Sequence, residues 1–75
     1  PSIGASQIEK IEKNKYVTSS LRDRSLYFFE LNSENQIINL KRVEVFERTR
    51  DIVFKDNKLF LFLENSASLG IINMN

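Results

Sequence analysis

Apolar residues recur along the chain in short runs and not at helical spacing. "YVTSSL" (16–21), "SLYFFELN" (25–32), "QIINLKRVEVF" (36–46), "RDIVF" (50–54), "KLFLFLEN" (58–65) and "SLGIINM" (68–74) are rich in β-branched and aromatic residues. Such side chains fit a pleated, half-buried surface, so each run reads as a strand. The stretches "RDRS", "NSEN", "KDNK" and "NSAS" separate them. Their Asp, Asn and Ser side chains bond to nearby backbone and favour turns. In "KDNK", Asp and Asn tolerate the left-handed region, which predicts a tight hairpin. The opening "QIEKIEKNK" has few alternating apolar positions, and residues 1–15 read as a lead-in strand or an irregular segment. The pattern predicts an all-β chain of antiparallel strands.

Sliding the chain by 33 residues lays "SSLRDRSLYFFELNS" (19–33) over "IVFKDNKLFLFLENS" (52–66). Asp23 then matches Asp56, Leu26 matches Leu59 and Phe29 matches Phe62, while Tyr27 and Phe60 are both aromatic. This reads as two copies of one strand-turn-strand unit, and fixed-period repetition points to propellers, solenoids or arrays. On this reading Phe29 and Phe62 are equivalent and both buried. In "LFLFL" (59–63) both faces are apolar, and "LYFF" (26–29) is nearly so. A half-exposed strand alternates apolar and polar residues, so these strands call for cover on both sides. Packed propeller blades supply such cover, as does a stacked or swapped oligomer. The expected architecture is a single unit over 1–75 holding one to two blades' worth of a β-propeller. Blade-like strands occupy 16–46, and a repeated hairpin with a following strand occupies 50–74.

Composition narrows the chemistry. Seventy-five residues make one small domain, which buries roughly 60% of the surface its unfolded chain exposes. The chain has no cysteine and no histidine. Disulfide staples, the usual Cys/His zinc site, a Ser-His-Asp triad and a Cys-His dyad are therefore impossible within it. Reinforcement must come from self-association or from a larger parent fold. Net charge is +1 with both signs mixed, which gives no bulk attraction for nucleic acid or anionic lipid. No run approaches the roughly 18 apolar residues of a membrane span. The chain opens on Pro1, as expected of a trimmed initiator or of a piece of something longer.

Five arginines stand out. Arg42 follows Lys41 inside a strand and reads as a solvated face, and Arg24 sits in the "RDRS" turn. Arg22 comes where a strand meets that turn. Arg48 and Arg50 come at the start of another strand, separated only by Thr49. Residues at i and i+2 of a strand point to the same side, so the two guanidiniums project together. If neighbouring sheets are in register, Arg22, Arg48 and Arg50 converge on one rim and grip a polyanionic small molecule through bidentate bonds. The competing reading pairs Arg48 and Arg50 with Glu47, Asp51 or Glu44 on the surface.

"VTSSLRDRSLYFFELN" followed by "ERTRDIVFKDNKLFLFLEN" resembles the final part of the soluble quinoprotein glucose dehydrogenase and aldose/sorbosone dehydrogenase family. "PSIGAS" (1–6) also resembles a segment that precedes the same strand in that family. The resemblance implies the last blade or so of a six-bladed β-propeller that oxidises aldoses with pyrroloquinoline quinone (PQQ) and calcium. The family's R-x-R-D motif is matched by Arg48, Thr49, Arg50 and Asp51, which places the PQQ carboxylates against Arg48 and Arg50. The family's basic residue after "SL", usually lysine, is Arg22 here, which keeps the charge but exchanges a point-like ammonium for a planar fork. The catalytic histidine and calcium ligands of the family lie outside this segment. The resemblance thus implies a chain inactive by itself, whose parent is a periplasmic or secreted sugar dehydrogenase. The partners implied are the rest of the propeller, or self-association through apolar strands. Two other functions fit the residues: a small β-barrel binding RNA or another polyanion, and an all-β module docking on a protein partner by edge addition.

Overall fold

A computed structural model describes the backbone of residues 5–20 and 22–74, with side chains from Ile8 onward. Most of "PSIGAS", and Leu21 of the "SL" pair, lie outside the described residues. Seven strands follow one another: β1 (Ala5–Glu12), β2 (Lys15–Ser20), β3 (Ser25–Leu31), β4 (Ile37–Glu44), β5 (Thr49–Lys55), β6 (Lys58–Leu63) and β7 (Ser68–Asn73). They form two antiparallel meanders, β1-β2-β3-β4 and β5-β6-β7. The all-β reading holds, and the opening segment resolves in favour of a strand, β1. No helix among the described residues is long and apolar enough to cross a membrane.

The turns explain the chain reversals. Asp56 and Asn57 take φ of 52° and 61°, so both central residues of the β5–β6 hairpin are left-handed, as its two-residue loop requires. In the β3–β4 turn the Asn32 side-chain oxygen accepts the backbone N–H groups of Glu34 and Gln36 at 3.0 and 2.9 Å. That Asx geometry leaves Asn35 left-handed at φ 61°.

The two sheets pack face to face over one core. Val17 and Leu26 from the first sheet meet Ile52, Leu59 and Leu61 from the second, all buried. Phe28, Val43, Phe54, Ile72 and Met74 flank them. Burying each large aliphatic side chain contributes about 1.5–3 kcal/mol. The sheets close on one side, where the Phe54 N–H of β5 donates to the Glu9 carboxylate of β1 at 3.2 Å. They stay open on the other, where Phe28, Lys41, Val43, Ile72 and Met74 line a cleft of about 370 Å³.

Only one face of "LFLFL" is covered. Leu59 and Leu61 face the core, whereas Phe62 is 44% exposed on the outer face. The expectation that Phe62 is buried like Phe29 is overturned: Phe29 is half-buried and stacks on Tyr16 with ring centroids 5.6 Å apart. The reason is a different internal register. The 33-residue slide lays the β2–β3 hairpin, with its four-residue turn, over the β5–β6 hairpin, with its two-residue turn. A slide of 43 residues instead lays β2 on β6 and starts β3 where β7 starts, and it matches both turn lengths. It also matches left-handed Arg24 (φ 56°) with left-handed Ala67 (φ 50°). A register shift interrupts β1 opposite Ser19 and Ser20, and another interrupts β5 opposite Phe62 and Leu63, the same place in the repeat. The chain is therefore a three-strand unit, β1-β2-β3, repeated as β5-β6-β7, with β4 added to the first copy.

Candidate arginine site

Arg48 lies in the connection that leads into β5, and Arg50 lies within that strand. Thr49 between them is buried while both arginines are exposed, although alternation along an unbroken strand would turn Arg50 toward the core. A device in the backbone makes this possible. In an unbroken strand Arg50 would share the face of Ile52, which is fully buried. The ladder instead pairs Thr49 with Leu63 and Asp51 with Phe62, leaving Arg50 as an extra residue. Such a bulge shifts the alternation and re-aims a side chain. Arg50 thereby joins Phe62, Leu63, Glu64, Ala67, Ser68 and Leu69 around a shallow depression of about 340 Å³.

Two of the three carboxylates expected to neutralise the pair, Glu47 and Asp51, are engaged elsewhere. Glu47 accepts the backbone N–H and the hydroxyl of Ser66 at 2.9 Å each. Asp51 Oδ1 accepts the N–H of Ile52 at 2.9 Å. Neither Arg48 nor Arg50 forms an ion pair among the described residues. The Glu47 bonds tie the β6–β7 turn to the connection before β5, and the Arg48 carbonyl accepts the Glu64 N–H at 3.0 Å. The backbone carrying the two guanidiniums is thus pinned on both sides.

Arg22 is exposed in the β2–β3 turn. That turn and the start of β5 lie at the same end of the molecule. The Val45 N–H, just before the arginine pair, donates to the Arg24 carbonyl at 3.0 Å. The opposite end is marked by a cleft lined by Ile11, Tyr16, Asn57 and Met74. Topology therefore sets Arg22, Arg48 and Arg50 along one rim, although the depression beside Arg50 is lined by neither of the other two. Guanidiniums so presented suit carboxylates, which accept two parallel N–H bonds from each fork. Among the described residues no group of three or more His, Cys, Asp or Glu side chains is placed to hold a metal ion.

Arg42 is exposed on β4, as the solvated-face reading expects, and it meets a partner there. Its Nε stands 3.5 Å from Asp23 Oδ2, and the Tyr27 hydroxyl donates to that same oxygen. The Tyr27 bond, more than the neighbouring Arg42 charge, holds the Asp23 carboxyl below its ordinary value of 3.8. The same bond to Asp23, with partial burial, raises the Tyr27 phenol above 10.0 against the opposing pull of Arg42. The β3–β4 register that sets Tyr27 opposite Arg42 creates this cluster. The sequence carried only its i, i+4 half, Asp23 to Tyr27. No protein-family model, curated protein or solved structure matches the chain.

Proposed function

We propose that the chain is a segment of a PQQ-dependent sugar dehydrogenase of the soluble glucose and sorbosone dehydrogenase kind, in which Arg48, Arg50 and Arg22 hold the cofactor's carboxylates. The observation that carries this reading is the bulge that turns Arg50 outward beside Arg48, leaving two guanidiniums without a carboxylate partner at one rim. The donor set fits the group, since PQQ is a compact tricarboxylate. When bound in such an enzyme it accepts the electrons of sugar oxidation. The part of this chain is to bind and orient it: Arg48 and Arg50 from a pinned strand entry, Arg22 from the adjacent turn. Two successive meanders packed face to face are also the arrangement of neighbouring propeller blades. The base that takes the sugar proton belongs to another part of the enzyme on this reading, because the chain contains no histidine. The calcium ligands do too, since no group of three or more acidic side chains among the described residues is placed to hold an ion.

The test is a PQQ titration of the whole parent apoenzyme, following recovered activity. Each charge-assisted bond lost from a water-excluded site costs roughly 1.5–3 kcal/mol. Arg48→Ala and Arg50→Ala should therefore each weaken reconstitution at least about tenfold. Lys13→Ala, in the exposed β1–β2 turn at the far end, should reconstitute like wild type. Wild-type behaviour of both arginine variants would remove the cofactor role.

A further inference from the structure

We propose that the outer face of the β5-β6-β7 sheet binds the outer face of the β1-β2-β3-β4 sheet of a second copy of the chain, head to tail. This inference uses none of the arginines and concerns the 75-residue chain by itself, since in the parent of the cofactor reading neighbouring blades would take the same two faces. It follows from which faces the molecule packs together inside itself.

In the 43-residue register, the row Val17–Phe28 of the first sheet corresponds to Phe60–Ile71 of the second, and Ser19–Leu26 corresponds to Phe62–Leu69. The row Ile8–Thr18–Tyr27 corresponds to Ile52–Leu61–Gly70, β1 being offset by one further residue because it carries a second register shift between Lys10 and Glu12, and Tyr16–Phe29 corresponds to Leu59–Ile72. The core joins the Val17 and Leu26 face to the Ile52, Leu59 and Leu61 face. In repeat terms these are unlike faces, so the internal contact is head to tail and not two-fold. One face of each kind is left over. The outer face of the second sheet is of the Val17 kind, and it is apolar and open: Phe62, Leu69 and Ile71 are 44, 50 and 57% exposed. The outer face of the first sheet is of the Leu59 kind and presents Ile8 and the stacked Tyr16 and Phe29, with the exposed Lys10 and Arg42 opposite Tyr16 and Tyr27.

A second copy carries both leftovers, and pairing one with the other repeats a contact this fold already makes. Such a contact is heterologous, so it does not saturate at two copies but continues to a ring or an open stack. A two-fold contact would instead set Phe62 against its own counterpart, a like-with-like packing used nowhere inside the chain.

Sedimentation of the 75-residue chain at tens of micromolar tests the proposal with two variants, Phe62→Asp on one face and Ile8→Asp on the other. Both positions are exposed, and circular dichroism with a cooperative melt establishes that each variant folds. Leu69→Asp replaces Phe62→Asp if that one does not. Wild type should sediment well above its 8.8 kDa monomer mass, and each variant alone should be monomeric. An equimolar mixture should form a one-to-one dimer and nothing larger, because each variant retains the face the other has lost. Three outcomes overturn the proposal: a monomeric wild type, association of either variant by itself, or a mixture that stays monomeric.

Discussion

Leu26 and Leu69 hold the same place in the two copies of the repeat, the second residue of the strand that follows a four-residue turn, yet Leu26 is fully buried and Leu69 half exposed. Position in the unit is thus separate from burial, which is decided by whether another sheet lies against that face. Leu26→Ala should cost about 2–5 kcal/mol, the range for emptying a packed core site. Leu69→Ala should cost under about 1 kcal/mol in the monomer. Urea unfolding in dilute solution, where association is absent, measures both.

The Asp23 and Tyr27 pair sets a pH window. Asp23 titrates below its ordinary 3.8 when folded, so its stabilising contribution is complete above that value and fades as pH falls through the folded pKa. Tyr27 titrates above 10.0, so its contribution is complete below that value and is lost as pH rises through the folded pKa. Thermal melts should show a plateau between these limits with a loss on either side. In Asp23→Asn the acid loss should shrink, and in Tyr27→Phe the alkaline one should. Unchanged profiles in both variants would show that the pair does not couple to folding.

Asp56 gives a backbone prediction. At φ 52°, a β-branched residue meets the full left-handed penalty of about 1–2 kcal/mol, whereas glycine meets none. Asp56→Val should lower the melting temperature, and Asp56→Gly should hold or raise it. Equal effects of the two would mean that the hairpin uses another turn.

Glu47 predicts a local effect without a global one. Its bonds to Ser66 lie at the surface, where a hydrogen bond is worth about 0.5–1.5 kcal/mol. Glu47→Ala should speed amide exchange at Ser66 and leave exchange at Leu59 and Leu61 unchanged. Faster exchange throughout β6 would show that the clamp holds the whole sheet.

The strands and turns were legible because period-two patterning and Asp/Asn chemistry act locally: the runs at 25–32 and 58–65 became β3 and β6, and "KDNK" became a left-handed hairpin. The repeat was misread because its copies diverged where their environments differ. Thr18 stands opposite Tyr27 on an outer face, while the corresponding Leu61 stands opposite Gly70 against the core. Side-chain similarity therefore favoured Leu26 with Leu59, whereas the shared geometry lies in turn lengths, left-handed residues and bulges. Of the arginine rim, the i, i+2 spacing predicted a shared side for Arg48 and Arg50 but not the outward turn of Arg50. Its cause, the bulge, depends on how β5 pairs with β6 and left no mark in residue type. The partner of Arg42 was hidden for the same reason, since Asp23 reaches it from a turn across the β3–β4 register.

Arg50 is supernumerary to its ladder: Thr49 and Asp51 already pair with adjacent residues of β6, Leu63 and Phe62. Removing its codon would close the gap and leave every other pairing of β5 in place, with Thr49 still facing the core and Asp51 still opposite Phe62. The second guanidinium is thus a modular insertion. Natural selection can add or withdraw it in one step, adjusting the charge of the rim without renegotiating the core.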